Sequence, residues 1–513
     1  MFRQLNKINV SKKYLNVLTI FLFVYAIPAT VSFPQQTAFR LITDDLDYFI
    51  GKAFALNLSP GMSVTVVQGD KIIYSKGFGY ADIESQQPVT SETMFYIAST
   101  TKSFTAFAVA LLDEHGILNL DKPISQYLPL LKLKPPLSAD NITLRDLLTH
   151  THGIEDGGPV VFRTAYTGVH TPDILLDLLS RYEPSPTGRA FDYGNLGYNI
   201  VGLAMDATLD INWKDLLQQE IFEPLRMNST SAYLSKVDPN RLAMPYAPTE
   251  NGYRKLHYSK SDDNMHAAGG HVSTAPDLAK WLIAHINSGK VDDEQIFPER
   301  VVEESHRKQV EQDRKFSLFH RYGWGLGWDL GTYDGDTLIH RFGSYSGFRS
   351  HVSFMPSHKI GVVVLVNEAM LGSFLADMVA GYIYDYLLDK PEIKSKYDEV
   401  LEQYKIQAAR GREMLAKDRA KRAARTQELP HTLKTYTGKF ENEDMGIMEW
   451  ELIDGKLQVK MGLLLSPVEV YNGEQNKFRV ELTGRGEVIK FTIEGDRAVL
   501  LYYANRKFTK IDP

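Results

Sequence analysis

The chain has 513 residues, 43% hydrophobic and 23% charged, with a formal net charge of -6. That length leaves room for about two to four domains with sizeable cores, and the acidic balance excludes a nucleic-acid binder recognised by bulk charge. There is no cysteine, which excludes disulfides, thiolate nucleophiles, iron–sulfur clusters and cysteine-based zinc sites; the chemistry must come from oxygen and nitrogen groups.

The first 32 residues read as an address. Arg3, Lys7, Lys12 and Lys13 precede an apolar run over 14–26, and Ala29, Thr30 and Ser32 follow, the order of a secretory signal with cleavage after Ser32. The run is short for a membrane span, which needs about 20 residues; left uncleaved, it would attach the chain to a membrane. The expectation is an exported protein, periplasmic or extracellular.

A helical pattern lies around residues 46–56. Strand-forming runs over 63–67 and 71–77 flank Gln68-Gly69-Asp70, which reads as a hairpin. From Ser99 to Gly116 apolar residues recur at Phe104, Phe107, Ala108, Leu111 and Leu112, the spacing of an amphipathic helix that stops at the glycine. Mixed helix and loop continues to about residue 288. Strands are expected over 337–341, 351–355 and 360–367, with a helix over 371–388. Strands at both ends and helices between predict one sheet assembled from both termini and covered by helices. Residues 390–425 are rich in Lys, Arg, Glu and Ala and read as a solvated bridging helix, with a membrane-surface or acidic-polymer contact as the sharper alternative. Beyond Pro430, short strands separated by Asp454-Gly455, Asn472-Gly473 and Gly495-Asp496 predict a small barrel or sandwich. Trp450 and the Tyr502-Tyr503 pair there read as packing rather than a ligand platform.

No Gly-x-Ser-x-Gly elbow, phosphate loop or His-Glu-x-x-His motif occurs. His150-Thr151-His152 suggests a metal pair, but Gly153-Ile154-Glu155-Asp156 does not complete a dinuclear zinc pattern, so packing is the expected role. The strongest candidate is Ser99-Thr100-Thr101-Lys102. At a helix start, positions i and i+3 share a face, so hydroxyl and amine can meet. A lysine titrates near 10.4 in water; to act as a base at neutral pH its pKa must fall by about 3, or roughly 4 kcal/mol. Burial at a helix N-terminus pushes that way. Ser305-His306-Arg307-Lys308 has the same spacing but a charged interior and no apolar face. A second element is Tyr193-Gly194-Asn195, in a glycine-punctuated loop entering a helix: a phenol that could take the serine proton, and an amide that could hold Lys102 or a substrate carbonyl.

From about residue 44 to 386 the chain resembles the serine β-lactamase and penicillin-binding protein superfamily, in its class C-like branch. Beyond the two short motifs, the segment Ile142 to Ile154 looks like that branch's helix ending in Thr-His-Thr-Ser-Gly, with His152 where serine is frequent. Glu223-Pro224-Leu225-Arg226-Met227 looks like its Pro-Leu-Gly-Met segment, and Ala268 to Leu278 like its Gly-Gly-x-x-Ser-Thr-x-x-Asp-Leu segment. The resemblance implies an α+β fold: an antiparallel sheet flanked by helices, an all-helical subdomain and an appended small β-barrel. It implies Ser99 as the acylated nucleophile, Lys102 and Tyr193 as the proton-handling pair, and Asn195 as their support. The branch's third element falls at Arg341-Phe342-Gly343-Ser344, with the amides of Ser99 and Ser344 as oxyanion donors and Arg341 as the cation for a substrate carboxylate. His340 lies one residue early and takes that place only if a bulge shifts the strand.

The expected organisation is a signal or anchor (1–32), a serine hydrolase domain (33–390), a charged linker helix (391–430) and a β-barrel domain (431–513). The expected function is acyl-enzyme hydrolysis of an amide or ester in a small molecule or peptide. D-alanyl-D-alanine carboxypeptidase, D-aminopeptidase or esterase types are favoured over strong β-lactamase, because Arg341-Phe342 replaces small polar residues. No cofactor, metal or nucleic acid is called for. The alternative is a silent scaffold of the same fold that holds cell-wall fragments or a protein partner.

Overall fold

The computed structural model describes residues 33–425 and 428–511, so the signal or anchor expected over 1–32 lies outside the described residues. Among the described residues no helix is long and apolar enough to cross a membrane. Helix α1 (Phe33–Phe54) buries Leu46, Phe49, Ile50 and Ala53, a stripe at i, i+3, i+4 and i+7. Strands β1 (Gly61–Gln68) and β2 (Lys71–Asp82) form the expected hairpin. Gln68 pairs with Lys71, and Gly69 turns the chain at φ 67°, a conformation open to glycine at no steric cost.

The sheet is completed by strands from residues 310–366. After β3 (Gln87–Pro88) come β4 (Val310–Phe316), β5 (Phe319–Trp324), β6 (Asp329–Tyr333), β7 (Asp336–Tyr345), β8 (Phe348–Met355) and β9 (Ile360–Val366). Their spatial order is β4-β5-β6-β7-β8-β9-β1-β2-β3, with every neighbouring pair antiparallel. β9 and β1 pair from Met62–Val366 to Gln68–Ile360, and nearly all their residues are buried, as suits central strands covered on both faces. The expected single sheet drawn from both termini is therefore present.

Helices cover both faces. Helix α2 (Thr101–Glu114), reached through a 3-10 turn over Ala98–Thr100, is buried along most of its length. Helix α3 (Leu196–Thr208) follows the Tyr193-Gly194-Asn195 loop. Helix α4 (Ala275–Ile286) sets Trp281 against Phe104 and Phe107 of α2 and packs on β1 and β9. On the opposite face lies α5 (Gly372–Leu387), against β8 and β9. Helix α6 (Ile393–Ala423) follows, with only Tyr397 and Ala408 buried among its described residues. Pairs such as Glu413–Lys417 and Asp418–Arg422 lace its surface.

The C-terminal region is a second nine-stranded antiparallel sheet. Its strands are β10 (Gly438–Asn442), β11 (Gly446–Ile453), β12 (Lys456–Met461), β13 (Leu464–Pro467), β14 (Glu469–Asn472), β15 (Lys477–Val480), β16 (Glu487–Glu494), β17 (Arg497–Tyr503) and β18 (Arg506–Lys510). The order is β13-β12-β11-β10-β18-β17-β16-β15-β14. Its two edges, β13 and β14, are consecutive in the chain, so the sheet curls almost into a closed barrel. Tyr436, Phe440, Trp450, Phe478 and Phe491 fill the interior. Trp450 and Tyr503 are buried while Tyr502 is exposed, the alternation of a packed strand. The barrel meets the preceding region at several places: Arg163 donates to the carbonyls of Asp444 and Glu443, Leu463 donates its N–H to the Thr167 carbonyl, Arg254 pairs with Glu481, and Ser346 donates to the carbonyl of Thr483.

Candidate active site

The approach to Ser99 is strained. Ala98 sits at φ 47°, a left-handed conformation that costs a non-glycine residue about 1–3 kcal/mol and is kept only where the surroundings fix it. Here they do. Ile97 donates its N–H to the carbonyl of His271, and its own carbonyl accepts from the Ser350 hydroxyl at 2.9 Å. Ser350 also bonds Thr100 Oγ1 at 2.8 Å, so the turn carrying Ser99 is tied to β8.

Lys102 stands on the first turn of α2 with 0% of its surface exposed. Its Nζ lies 3.3 Å from Ser99 Oγ. It donates to Asn195 Oδ1 at 2.6 Å and to the Ala268 carbonyl at 2.9 Å. As an ammonium it donates to all three oxygens; in its neutral form, with two N–H donors spent on Asn195 and Ala268, its lone pair would face the Ser99 hydroxyl. Burial lowers the Lys102 pKa, the Tyr193 phenol partly opposes this, and the Arg341 guanidinium adds to it. Tyr193 closes the group: its ring centroid is 5.1 Å from Lys102 Nζ. Burial pushes its phenol up, but the charges of Arg341 and Lys102 pull the other way and hold it below its usual range.

Arg341 lies on the same side. One Nη donates to the Tyr193 hydroxyl at 2.8 Å and to the Phe342 carbonyl at 3.0 Å, and the other to Asp329 at 3.0 Å. His340 does not reach the site. The registers of β7 with β6 and with β8 run without a bulge, so alternation turns His340 to the opposite face, where it stacks on Phe342 at 4.3 Å. The place of His340 among the substrate-binding residues is corrected on this ground. Ser344 is exposed, one residue after Gly343, where β7 runs hard against the nucleophile turn. A Cβ at Gly343 would meet the Ile97 carbonyl oxygen at 1.9 Å and Ser350 Oγ at 2.5 Å. Gly343→Ala is expected to push strand and turn apart, cost about 1–3 kcal/mol and lower turnover at least tenfold, read by thermal melting beside an ester-hydrolysis assay.

Two positioning residues, Asp156 and Asp329, carry no motif that marks them in the sequence, and a third, His150, packs as expected. Asp156 Oδ1 accepts from the backbone N–H of Asn195 at 3.0 Å and of Leu196 at 2.9 Å, capping α3 with a carboxylate. A Cβ on Gly194 would strike Asp156 Cγ at 1.9 Å. The loop carrying Tyr193 and Asn195 is thus clamped on one acid. Asp329, almost fully buried, holds Arg341 and also Arg321. His150 packs its ring 4.7 Å from both Tyr193 and Trp324, and its Nδ1 accepts from the Gly194 N–H at 3.3 Å. The only sequence signal for Asp156 was its neighbour pair Gly157-Gly158; its partners lie some forty residues on.

His150 and His152 each turn Nδ1 to a backbone N–H. Burial lowers both, His150 far below its usual value and His152 to about 4, as packed neutral imidazoles require. The Ser305-x-x-Lys308 spacing does not form a pair. Ser305 is buried and donates to the Val302 carbonyl, while Lys308 pairs with exposed Glu311.

The electrostatics give Arg341 a testable effect. Its charge lowers both Tyr193 and Lys102, so if either serves as the base for the Ser99 proton, Arg341 helps keep it deprotonated. Arg341→Gln removes that pull, both pKa values rise, and the acid limb of kcat/KM moves to higher pH. A pH–rate profile of the variant checks this; a limb that stays in place or moves to lower pH contradicts it.

A family model described as Beta-lactamase matches residues 54–377. Among curated proteins, the chain is 27% identical over 357 residues to the unguisins hydrolase ungD' of Aspergillus campestris, covering 64% of this chain and 62% of that protein. It is 24% identical over 313 residues to protein flp of Staphylococcus aureus (strain COL), covering 60% and 59%. The match thus spans about six-tenths of the length of these relatives. Among solved structures, the octameric penicillin-binding protein homologue from Pyrococcus abyssi superposes with a TM-score of 0.57 at 24% identity, over 91% of this chain and 99% of that one, a likeness of fold. The D-amino acid amidase from Ochrobactrum anthropi SV3 gives 0.55 at 25% identity, over 67% and 98%. A family match that takes in the sheet and the whole stretch from Ser99 to Ser344 makes this chain a member of the Beta-lactamase family.

Proposed function

We propose that this chain is a serine hydrolase that forms an acyl-enzyme on Ser99 and cleaves small amides and esters. The observation that carries this is the buried Lys102 amine, held by Asn195 Oδ1 and the Ala268 carbonyl within 3.3 Å of Ser99 Oγ, with burial lowering its pKa. Ser99 Oγ attacks the carbonyl carbon, and its one proton is taken up by the Lys102–Tyr193 pair, on the amine or the phenolate. The amides of Ser99 and Ser344 receive the oxyanion; one such donor typically contributes about 3–4 kcal/mol. Collapse expels the amine or alcohol, which takes that proton, and water then releases the acyl group by the same route.

The substrate class follows from Arg341. Its Nη groups are committed to Asp329, Tyr193 and a backbone carbonyl, and its Nε is buried, so little of the guanidinium remains for a substrate carboxylate. Penicillins and D-alanyl-D-alanine peptides both end in one. Amides and esters without that carboxylate fit better, and the fold likeness to a D-amino acid amidase supports the same choice. Export, inferred from the basic and apolar run over 3–32, belongs to the same reading.

A panel of D- and L-phenylalanine amide, p-nitrophenyl esters, a D-alanyl-D-alanine peptide and a chromogenic cephalosporin tests the assignment. The amides or esters are expected to turn over at least tenfold faster than the two carboxylate substrates. Faster cephalosporin or carboxypeptidase turnover would overturn the substrate class, and no turnover of any, with folded protein, would favour a silent scaffold.

A further inference from the structure

On the face of the sheet turned away from Ser99, Arg349 of β8 is 8% exposed. Its ion pair among the described residues is a loose one, Nη2 to Asp377 Oδ1 of α5 at 3.5 Å, and its Nε has no hydrogen-bond partner. A buried guanidinium ordinarily spends its N–H groups on acceptors; this one keeps donors in hand. Asp377 is better supported. His351 Nδ1 lies 2.9 Å from Asp377 Oδ1, His351 Nε2 is 2.8 Å from Ser353 Oγ, and that hydroxyl is 2.8 Å from the Tyr384 hydroxyl. Asp, His and Ser here have the composition of a nucleophilic triad, but His351 and Ser353 are fully buried, so no carbonyl substrate reaches them. The relay serves instead to fix the Asp377 carboxylate.

Arg349 and Asp377 form one wall of a cavity of about 400 Å³ between the β4–β5 turn, the start of α5 and the middle of α6. Phe316, Leu318, Phe374 and Tyr404 give the rest an apolar lining, with Ser373 and Gln407 beside them and Ser317 bonded to Asp377. A ligand carrying only a carboxylate would meet Asp377 while bonding Arg349, and one carrying only an ammonium would meet the reverse clash. A molecule with both charges on one carbon and an apolar substituent satisfies the whole wall. We propose that this cavity is a second ligand site that takes a free α-amino acid with an apolar or aromatic side chain. The carboxylate lies on Arg349, the ammonium on Asp377, and the side chain against Phe374 and Tyr404. The site stands apart from Ser99, but β8 links the two: Ser350, next to Arg349, bonds the turn that carries Ser99.

Calorimetric titration of the full chain with phenylalanine tests this, alongside 3-phenylpropionate and phenethylamine, which each lack one charge. Saturable binding of phenylalanine is expected, with each analogue at least about tenfold weaker. Ser373→Trp fills the cavity without touching the charged pair, and Phe374→Ala removes one apolar wall at an exposed position; both are expected to weaken binding, with the circular dichroism unchanged. No binding at roughly 10 mM ligand, equal binding of 3-phenylpropionate, or binding that survives in both variants would each overturn the proposal. The readout is heat of binding rather than turnover, so its failure leaves the serine hydrolase reading untouched.

Discussion

Ser99→Ala is expected to lower kcat by roughly 10⁴-fold or more, the scale on which loss of a nucleophile that works as a unit with its base is felt. The fold should be untouched. Ser99 is only partly buried, and the turn that carries it is held by backbone and neighbouring groups, among them the Ile97–His271 bond and the Ser350 hydroxyl. Thermal melting within about 1 °C of the parent and turnover at background is the expected pair of results. Turnover within tenfold of the parent would mean that the chemistry lies elsewhere.

Lys102 is expected to matter almost as much, for a different reason. Lys102→Met keeps the length and apolar stem but removes the lone pair, and a positioned base is worth about 10²–10⁴-fold. It also leaves Asn195 Oδ1 and the Ala268 carbonyl without a donor, a cost of about 1–3 kcal/mol each that relief of the buried amine's desolvation partly offsets. Lys102→Arg separates base from charge. Guanidinium stays protonated at any working pH, so it could still hold Asn195 but could not take the serine proton. Both variants should therefore be equally slow. The wild-type profile has a sign that follows from the same groups. Lys102 and Tyr193 are both lowered, activity rises as they lose their protons, and their strong coupling makes the acid limb a property of the pair. An arginine variant that retained more than a tenth of the parent rate would assign the role to charge alone.

Elements with a strong apolar period were legible from sequence. The hairpin at Gly69, helix α2 with its stripe at Phe104, Phe107 and Leu111, and strands β7 to β9 lie close to their expected bounds. Strand β4 escaped because the edge of the sheet shows no such period: Val310–Phe316 is largely exposed and reads as polar loop; β5 and β6 are mostly buried but include Arg321 and Asp329, which read as polar. In the site, Ser99, Lys102, Tyr193 and Asn195 were visible as short motifs, and the structure brings all four together. What the motifs could not carry was the support beneath them. Asp156, Asp329 and His150 act through contacts with residues far along the chain, and one sequence holds no record of those distances. Arg341 shows the limit most clearly. The sequence marks a cation beside the site, but only the three-dimensional arrangement reveals that Tyr193 and Asp329 have already claimed it, which changes the substrate class it implies.

An acyl-enzyme requires a covalent bond to Ser99. Intact mass spectrometry after treatment with a serine-reactive phosphonate, followed by peptide mapping, reads it directly. One adduct per chain on the peptide containing Ser99, absent from Ser99→Ala, is the predicted result; an unmodified protein that is still turning over esters, or an adduct on any other peptide, would contradict it.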